Sequence, residues 1–345
     1  MSANSWACIA RMGGFGDNLI ASSVLPGLKK RFGHVEVISG KPMHEMFENN
    51  PYIDKLSALD AGQPEWKDGH SWQKWFHERS REYAFFANLS HSCEMLGVAL
   101  KAQTAFWWSK QQRERMFGKS YLEHVHDICD IPYDEIAPNF FPTDAEVEQA
   151  VETKRKVGAR AISWVMSGSR LDKIHPHADI AVSRIIKELG VPVVLMGAPG
   201  KDLELARLIQ SEVKKNNKTD DGLHLALSSD PANPSWGPRR ICAQAQQMDA
   251  VIGPDTGPMW AVAMREMPKV VMVSHASPEN ITKHWVNTTT LHASPDRVKC
   301  WPCHQLHDDC TTCTPNAAKN GSACITDITV DDIVETVRNL VKEKS

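Results

Sequence analysis

The chain has no apolar run approaching the roughly 20 residues that a membrane-spanning helix needs, so no transmembrane segment is expected. It has almost no net charge: 39 basic residues against 42 acidic ones leave −3. No long block of one sign occurs, and neither a nucleic acid nor a membrane surface is called for as a partner. The opening Met1-Ser2-Ala3-Asn4-Ser5-Trp6 lacks the basic stretch and apolar core of a secretory signal, and a soluble cytoplasmic protein is expected. A dinucleotide fingerprint would need a third glycine: after Gly14 and Gly16, Leu19 stands where a glycine would pack helix on strand. A nucleotide-dependent oxidoreductase is therefore kept only as a weak alternative.

What is present is enough chain for two ordinary domains: 345 residues, 42% hydrophobic. Short apolar runs alternate with amphipathic stretches over short connections, and the pattern occurs twice. That is the signature of parallel α/β sheets, here an α/β protein of two Rossmann-like doubly wound domains. The proline-rich break before residue 144 puts the boundary near residue 150. The expected division is 1–150, then 151–326, then a terminal helix over 327–345. The pattern predicts single helices over residues 19–31, 93–100 and 258–267. Residues 61–81 read as a surface excursion with a helix near 71–79, anchored by Trp66, Trp72 and Trp75. Arg113, Arg115 and Lys119 read as a solvated basic face, with contact to an anionic acceptor as the alternative.

Three strand ends carry candidate chemistry. The first is Gly13-Gly14-Phe15-Gly16-Asp17, opening a helix. Glycines there let a substrate approach, and Asp17 either caps the helix or serves as a general base. The second is Ser167-Gly168-Ser169-Arg170-Leu171-Asp172-Lys173, whose hydroxyls, Arg170 and Lys173 suit an anionic ligand. The third is Gly253-Pro254-Asp255-Thr256-Gly257-Pro258-Met259-Trp260, a strand–turn–helix whose free N–H groups can hold a phosphate. Gly197 ends a further strand. In parallel sheets ligands sit at the carboxyl ends of the strands, so one site in a cleft between two domains is expected.

The ordered set from Arg11 to Leu19, from Ser167 to Pro176, and from Asp255 to Pro258 resembles the signature regions of the heptosyltransferase family, glycosyltransferase family 9. The resemblance covers nearly the whole chain. It implies a GT-B fold, with an acceptor-binding N-terminal domain and a C-terminal domain for a nucleotide sugar, typically ADP-heptose. It further implies inverting transfer to a saccharide or protein acceptor without a catalytic metal, as in lipopolysaccharide biosynthesis. By the same likeness Asp17 matches the general base and Lys173 the basic residue at the donor phosphates. Asp255, Thr256 and Gly257 match the diphosphate turn. Pro258, Met259, Ser167, Ser169, Arg170, Gly197, Gly14 and Gly16 complete the expected donor-side set. In GT-B proteins the last helix often crosses back to the first domain. Two residues depart from the pattern: Trp260 replaces a usual His, and His275 stands where a small residue is usual. A non-catalytic nucleotide-sugar-binding protein of the same fold is the second reading, and the oligomeric state stays open.

The cysteines are unevenly spread. Cys8, Cys93, Cys129 and Cys242 are scattered and read as buried small hydrophobes. Cys300, Cys303, Cys310, Cys313 and Cys324 crowd together, with two Cys-x-x-Cys pairs among them. Such spacing suits a thiolate-bound metal, and four of the five are expected to hold a structural zinc or iron. The resemblance extends here, since autotransporter heptosyltransferases carry a C-terminal four-cysteine iron site. Unliganded or disulfide-bonded thiols are the alternative.

Overall fold

The computed structural model describes residues 5–59, 69–90, 92–138, 140–166, 168, 170–198, 200–227, 237–307, 313, 315–316 and 321–342. Trp66, Ser167, Ser169 and Cys310 lie outside them. The chain forms two compact units: Met1–Gly97 with Lys119–Phe141, and Val98–Gly118 with Pro142–Ser345.

The first unit is built on a parallel sheet of β1 (Trp6–Arg11), β2 (His34–Ser39), β3 (Lys55–Ala58) and β4 (Phe85–Asn88), in the order β3-β2-β1-β4. β1 is almost entirely buried, which explains its unbroken apolar run. The helix expected over residues 19–31 is two helices, Phe15–Ser22 and Leu25–Phe32. Pro26 lies in the first turn of the second. A proline there costs nothing, whereas one continuous helix would lose an internal hydrogen bond at that ring. The helix expected over 93–100 is also short. It ends at Leu96, and Ala99–Leu100 form a strand, β5. A side chain on Gly97 would collide with the Tyr121 ring.

A buried carboxylate ties helix Gly69–Ser80 to this sheet. Trp75 and Phe76 pack against Cys8, Ala10 and Ile38. Beside them Glu36 accepts from Ser57 Oγ at 2.7 Å, Tyr83 OH at 2.9 Å and Lys55 Nζ at 3.1 Å, with Arg79 at 3.4 Å. Burial alone would raise its pKa, but these donors outweigh it and hold the carboxyl below the ordinary value. The stability it supplies is thus complete above its unfolded pKa of about 4.3 and is lost as pH falls from there through the folded value. In urea titrations from pH 7 to pH 3, Glu36→Gln is expected to be less stable than wild type at pH 7, the gap narrowing in acid. A constant gap would contradict this.

The second unit holds β6 (Ile162–Val165), β7 (Val193–Gly197), β8 (Leu223–Leu227), β9 (Ala250–Pro254), β10 (Lys269–Met272) and β11 (Thr288–Leu291). All pairings are parallel, in the order β11-β10-β9-β6-β7-β8. This is the doubly wound Rossmann order, whose direction reverses between β6 and β9. The terminal helix Val330–Lys342 packs on helix Ala178–Leu189, with Ile333, Val334 and Val337 in the unit's core and Arg184 paired to Asp331 at 2.6 Å.

Segment Val98–Gly118 belongs to this unit because of the cysteine-bearing segment. β5 pairs in parallel with β12 (Gln305–Leu306), and Ala99 N–H donates to His304 O at 2.9 Å. Arg113 is buried, not solvated: its Nε donates to Cys303 O at 2.6 Å. Lys110 Nζ reaches Trp301 O at 2.6 Å. The expected basic face is therefore partly a clamp on backbone carbonyls. The four scattered cysteines are buried as expected.

Candidate active site

In the first unit the candidate residues gather where the sheet order reverses, between β1 and β4. Arg11, the last residue of β1, is 1% exposed. Its Nη1 donates to Leu89 O at 2.9 Å, and its Nη2 meets Asp17 Oδ1 at 2.9 Å. The other carboxylate oxygen accepts from Gly14 N–H at 2.7 Å, at the start of helix Phe15–Ser22. Gly13 has φ of +135°, and a Cβ there would come within 2.7 Å of Asp17 Oδ2, so only glycine fits. Asp17 is thus a fixed carboxylate, about a quarter exposed at 28%. Gly16 lies within the helix rather than in the turn. Leu19, at the missing glycine's position, is fully buried.

In the second unit the loops after β6 and β9 meet across the reversal point. Lys173 Nζ donates to Asp255 O at 2.5 Å and pairs with Asp255 Oδ2 at 3.3 Å. A Cβ on Gly168 would strike Lys173 Cδ at 2.6 Å and Thr256 Cγ2 at 3.0 Å. Both loops therefore close on one spot at the carboxyl edge of the sheet. Thr256 caps helix Gly257–Val262 with its backbone. That helix is six residues long, shorter than the expected 258–267, and turns follow it. So short a helix contributes little dipole, which leaves cationic side chains as the main source of positive charge here. Met259 is fully buried with its sulfur near Gly253, behind the turn. Gly197 leaves room for Asp202, whose Oδ2 accepts from Ala198 N–H at 2.7 Å.

Trp260 faces inward. It is 2% exposed and packs edge-on against Trp285 at 4.8 Å. Its Nε1 donates to Asp255 Oδ1 at 2.6 Å, so each oxygen of that carboxylate has its own partner. Trp260→Phe would leave Oδ1 without a donor and is expected to destabilise the protein by about 1–3 kcal/mol in urea denaturation. An unchanged midpoint and slope would contradict that role.

Sequence reasoning passed over Arg11, Asp172 and His275 as working residues. Arg170 Nε donates to Asp172 Oδ1 at 2.9 Å, while Asp172 Oδ2 faces Ser274 Oγ at 3.0 Å and His275 Nδ1 at 3.2 Å. Burial would raise the Asp172 pKa, but the His275 hydrogen bond and the neighbouring cations hold it far below the usual range. The available signal was an arginine or acid in an apolar setting, since such groups are rarely buried unless paired.

Of the clustered cysteines, Cys303 and Cys324 are buried, Cys313 is half-buried and Cys300 is exposed. Burial pushes the Cys303 thiol up to about 12, and Cys300 and Cys313 push the same way. Burial also raises Cys324, where Cys303 and Cys313 add to it. Among the described residues, however, no three His, Cys, Asp or Glu side chains are arranged to hold an ion. The donor chemistry suits zinc or iron, but the described residues do not close a ligand shell. No described helix is long and apolar enough to cross a membrane.

No protein-family model matches the chain, and no curated protein matches it. Solved structures do. A glycosyl transferase family 9 structure from Veillonella parvula DSM 2008 matches at a TM-score of 0.65 and 14% identity, over 99% of this chain and 98% of its own. ADP-heptose LPS heptosyltransferase II of E. coli matches at 0.62 and 14%, over 98% and 100%. The dodecameric iron-containing heptosyltransferase TibC of enterotoxigenic E. coli H10407, in complex with ADP-D-β-D-heptose, matches at 0.60 and 10%, over 100% and 78%. At such identities the likeness establishes the fold: the chain has the two-unit α/β GT-B architecture of these family 9 and heptosyltransferase structures.

Proposed function

We propose that this protein is an inverting glycosyltransferase that moves a heptose-like sugar from a nucleotide-sugar donor, ADP-heptose first among candidates, to a saccharide or protein acceptor. One observation carries the reading: two loops of the second unit converge at the sheet's reversal point, with Lys173 over Asp255 and Gly168 against Thr256. A nucleoside diphosphate is the ligand such loops suit. In the transfer step an acceptor hydroxyl oxygen bonds to the anomeric carbon as the bond from that carbon to the diphosphate oxygen breaks. The hydroxyl proton passes to Asp17. Lys173 and Arg170 stabilise the charge that grows on the leaving diphosphate. The reading is tested by incubating the protein with ADP-heptose and candidate acceptors and following ADP release; an absence of release with every nucleotide sugar would sink it.

The binding-protein reading also has an observation in its favour. Both oxygens of Asp17 are already engaged, by Arg11 and by the Gly14 N–H. A protein that binds the nucleotide sugar but never releases ADP would establish it.

The cysteine segment is proposed as a structural zinc or iron site, supported by the ligand chemistry of its clustered thiols and by the iron of the TibC neighbour. Bound metal would fix a segment with few apolar residues, and no chemical step runs through it. Elemental analysis of tag-free protein is expected to find about one equivalent per chain; none at all would contradict the metal.

A further inference from the structure

We propose that Asp172 and His275 are positioning residues that aim the Arg170 guanidinium at the ligand's diphosphate, with the backbone of the cysteine-bearing segment bracing His275 from behind. The inference rests on the anion-site reading of the loop after β6 and adds to it the parts that hold the arginine in place.

Arg170 sits on that loop with its side chain 16% exposed. Its Nε is spent on Asp172, but its Nη2 is shielded from solvent and has no hydrogen-bond partner among the described residues. An orphaned guanidinium N–H is costly unless something arrives to accept from it. An anion bound beside Lys173 would do so. The guanidinium cannot simply swing away, because Asp172 is itself fixed. Its second oxygen takes Ser274 Oγ and His275 Nδ1, from the segment directly after β10. All three side chains are at least nine-tenths buried. His275 is in turn held through its carbonyl, which accepts from His304 N–H at 2.9 Å and lies 3.9 Å from Cys303 Sγ. A continuous set of contacts thus runs from the cysteine segment through His275 and Asp172 to the unpaired nitrogen. Preorganised charge of this kind binds an anion without first having to order a long side chain.

The test is a calorimetric titration of ADP and of inorganic pyrophosphate into wild type, Arg170→Ala, Asp172→Asn, Ser274→Ala and the Arg170→Ala/Asp172→Asn double variant, with melting temperatures recorded alongside. Arg170→Ala is expected to weaken both ligands roughly tenfold. Asp172→Asn should weaken them by a similar factor, Ser274→Ala by less, and the double variant by no more than Arg170→Ala alone. A purely structural Asp172 would lower the melting temperature and leave the dissociation constants untouched; that result, or multiplying effects in the double variant, overturns the inference. Ser274→Ala keeps the carboxylate and supplies the measurement if Asp172→Asn does not fold. If pyrophosphate binds wild type and ADP binds no better, the nucleotide reading fails while the Arg170 comparison still decides this one. If neither ligand binds, both fall.

Discussion

Asp17→Asn is expected to cut sugar transfer by about 10²–10⁴-fold, the usual contribution of a positioned general base, and to leave nucleotide affinity unchanged. The amide is nearly isosteric with the carboxylate but has one acceptor oxygen, which serves either Arg11 or the Gly14 N–H and not both. What it cannot do is take the acceptor's proton. The loops after β6 and β9 lie in the other compact unit and lose nothing directly. Some stability is lost, because the buried Arg11 guanidinium forfeits its counter-charge. Transfer and ADP affinity are therefore measured together at a temperature where the variant is folded. Full transfer by Asp17→Asn would show that Asp17 is a cap and counter-ion only.

Lys173→Ala is expected to weaken nucleoside diphosphate binding by roughly 10–150-fold, the worth of a hydrogen bond to a charged group. Its ammonium is held by Asp255 through both a carbonyl and a carboxylate oxygen, so its place is set before any ligand arrives. The carboxylate beside it would repel a diphosphate, but the Trp260 indole N–H occupies Oδ1 and leaves only Oδ2 towards the lysine. Removing Lys173 thus takes away the attraction and leaves the repulsion. Titration calorimetry with ADP measures the loss; an unchanged dissociation constant would remove Lys173 from the site.

The parallel α/β plan was legible because buried strands such as Val193–Gly197 are apolar throughout and the helices between them are amphipathic. The candidate loops were legible because the chemistry of parallel sheets collects at one edge, and Gly168, Lys173, Asp255 and Thr256 do meet there. What could not be read was set by tertiary contact. Leu19, Ile20, Val24, Leu25 and Leu28 keep one helical spacing, yet a second helix starts at Leu25 with Pro26 in its first turn. Arg113 looks like a surface cation until the cysteine-bearing segment supplies the carbonyl it binds. Trp260 reads as a bulky intruder at a phosphate turn; only its packing on Trp285 shows that the ring turns inward and the N–H serves Asp255. The pairing of Asp172 with His275 joins residues 103 apart in sequence, and no local pattern announces it.

The most direct measurement is a thermal-shift screen of nucleoside diphosphates and nucleotide sugars against wild type and Lys173→Ala. At a hundredfold excess over its dissociation constant, a bound ligand adds about 2.7 kcal/mol of stability. Stabilisation of wild type by ADP and ADP-heptose, lost in Lys173→Ala, is the predicted result. If no nucleotide shifts the wild-type melting temperature, the loops after β6 and β9 are not a donor site and the glycosyltransferase account is wrong.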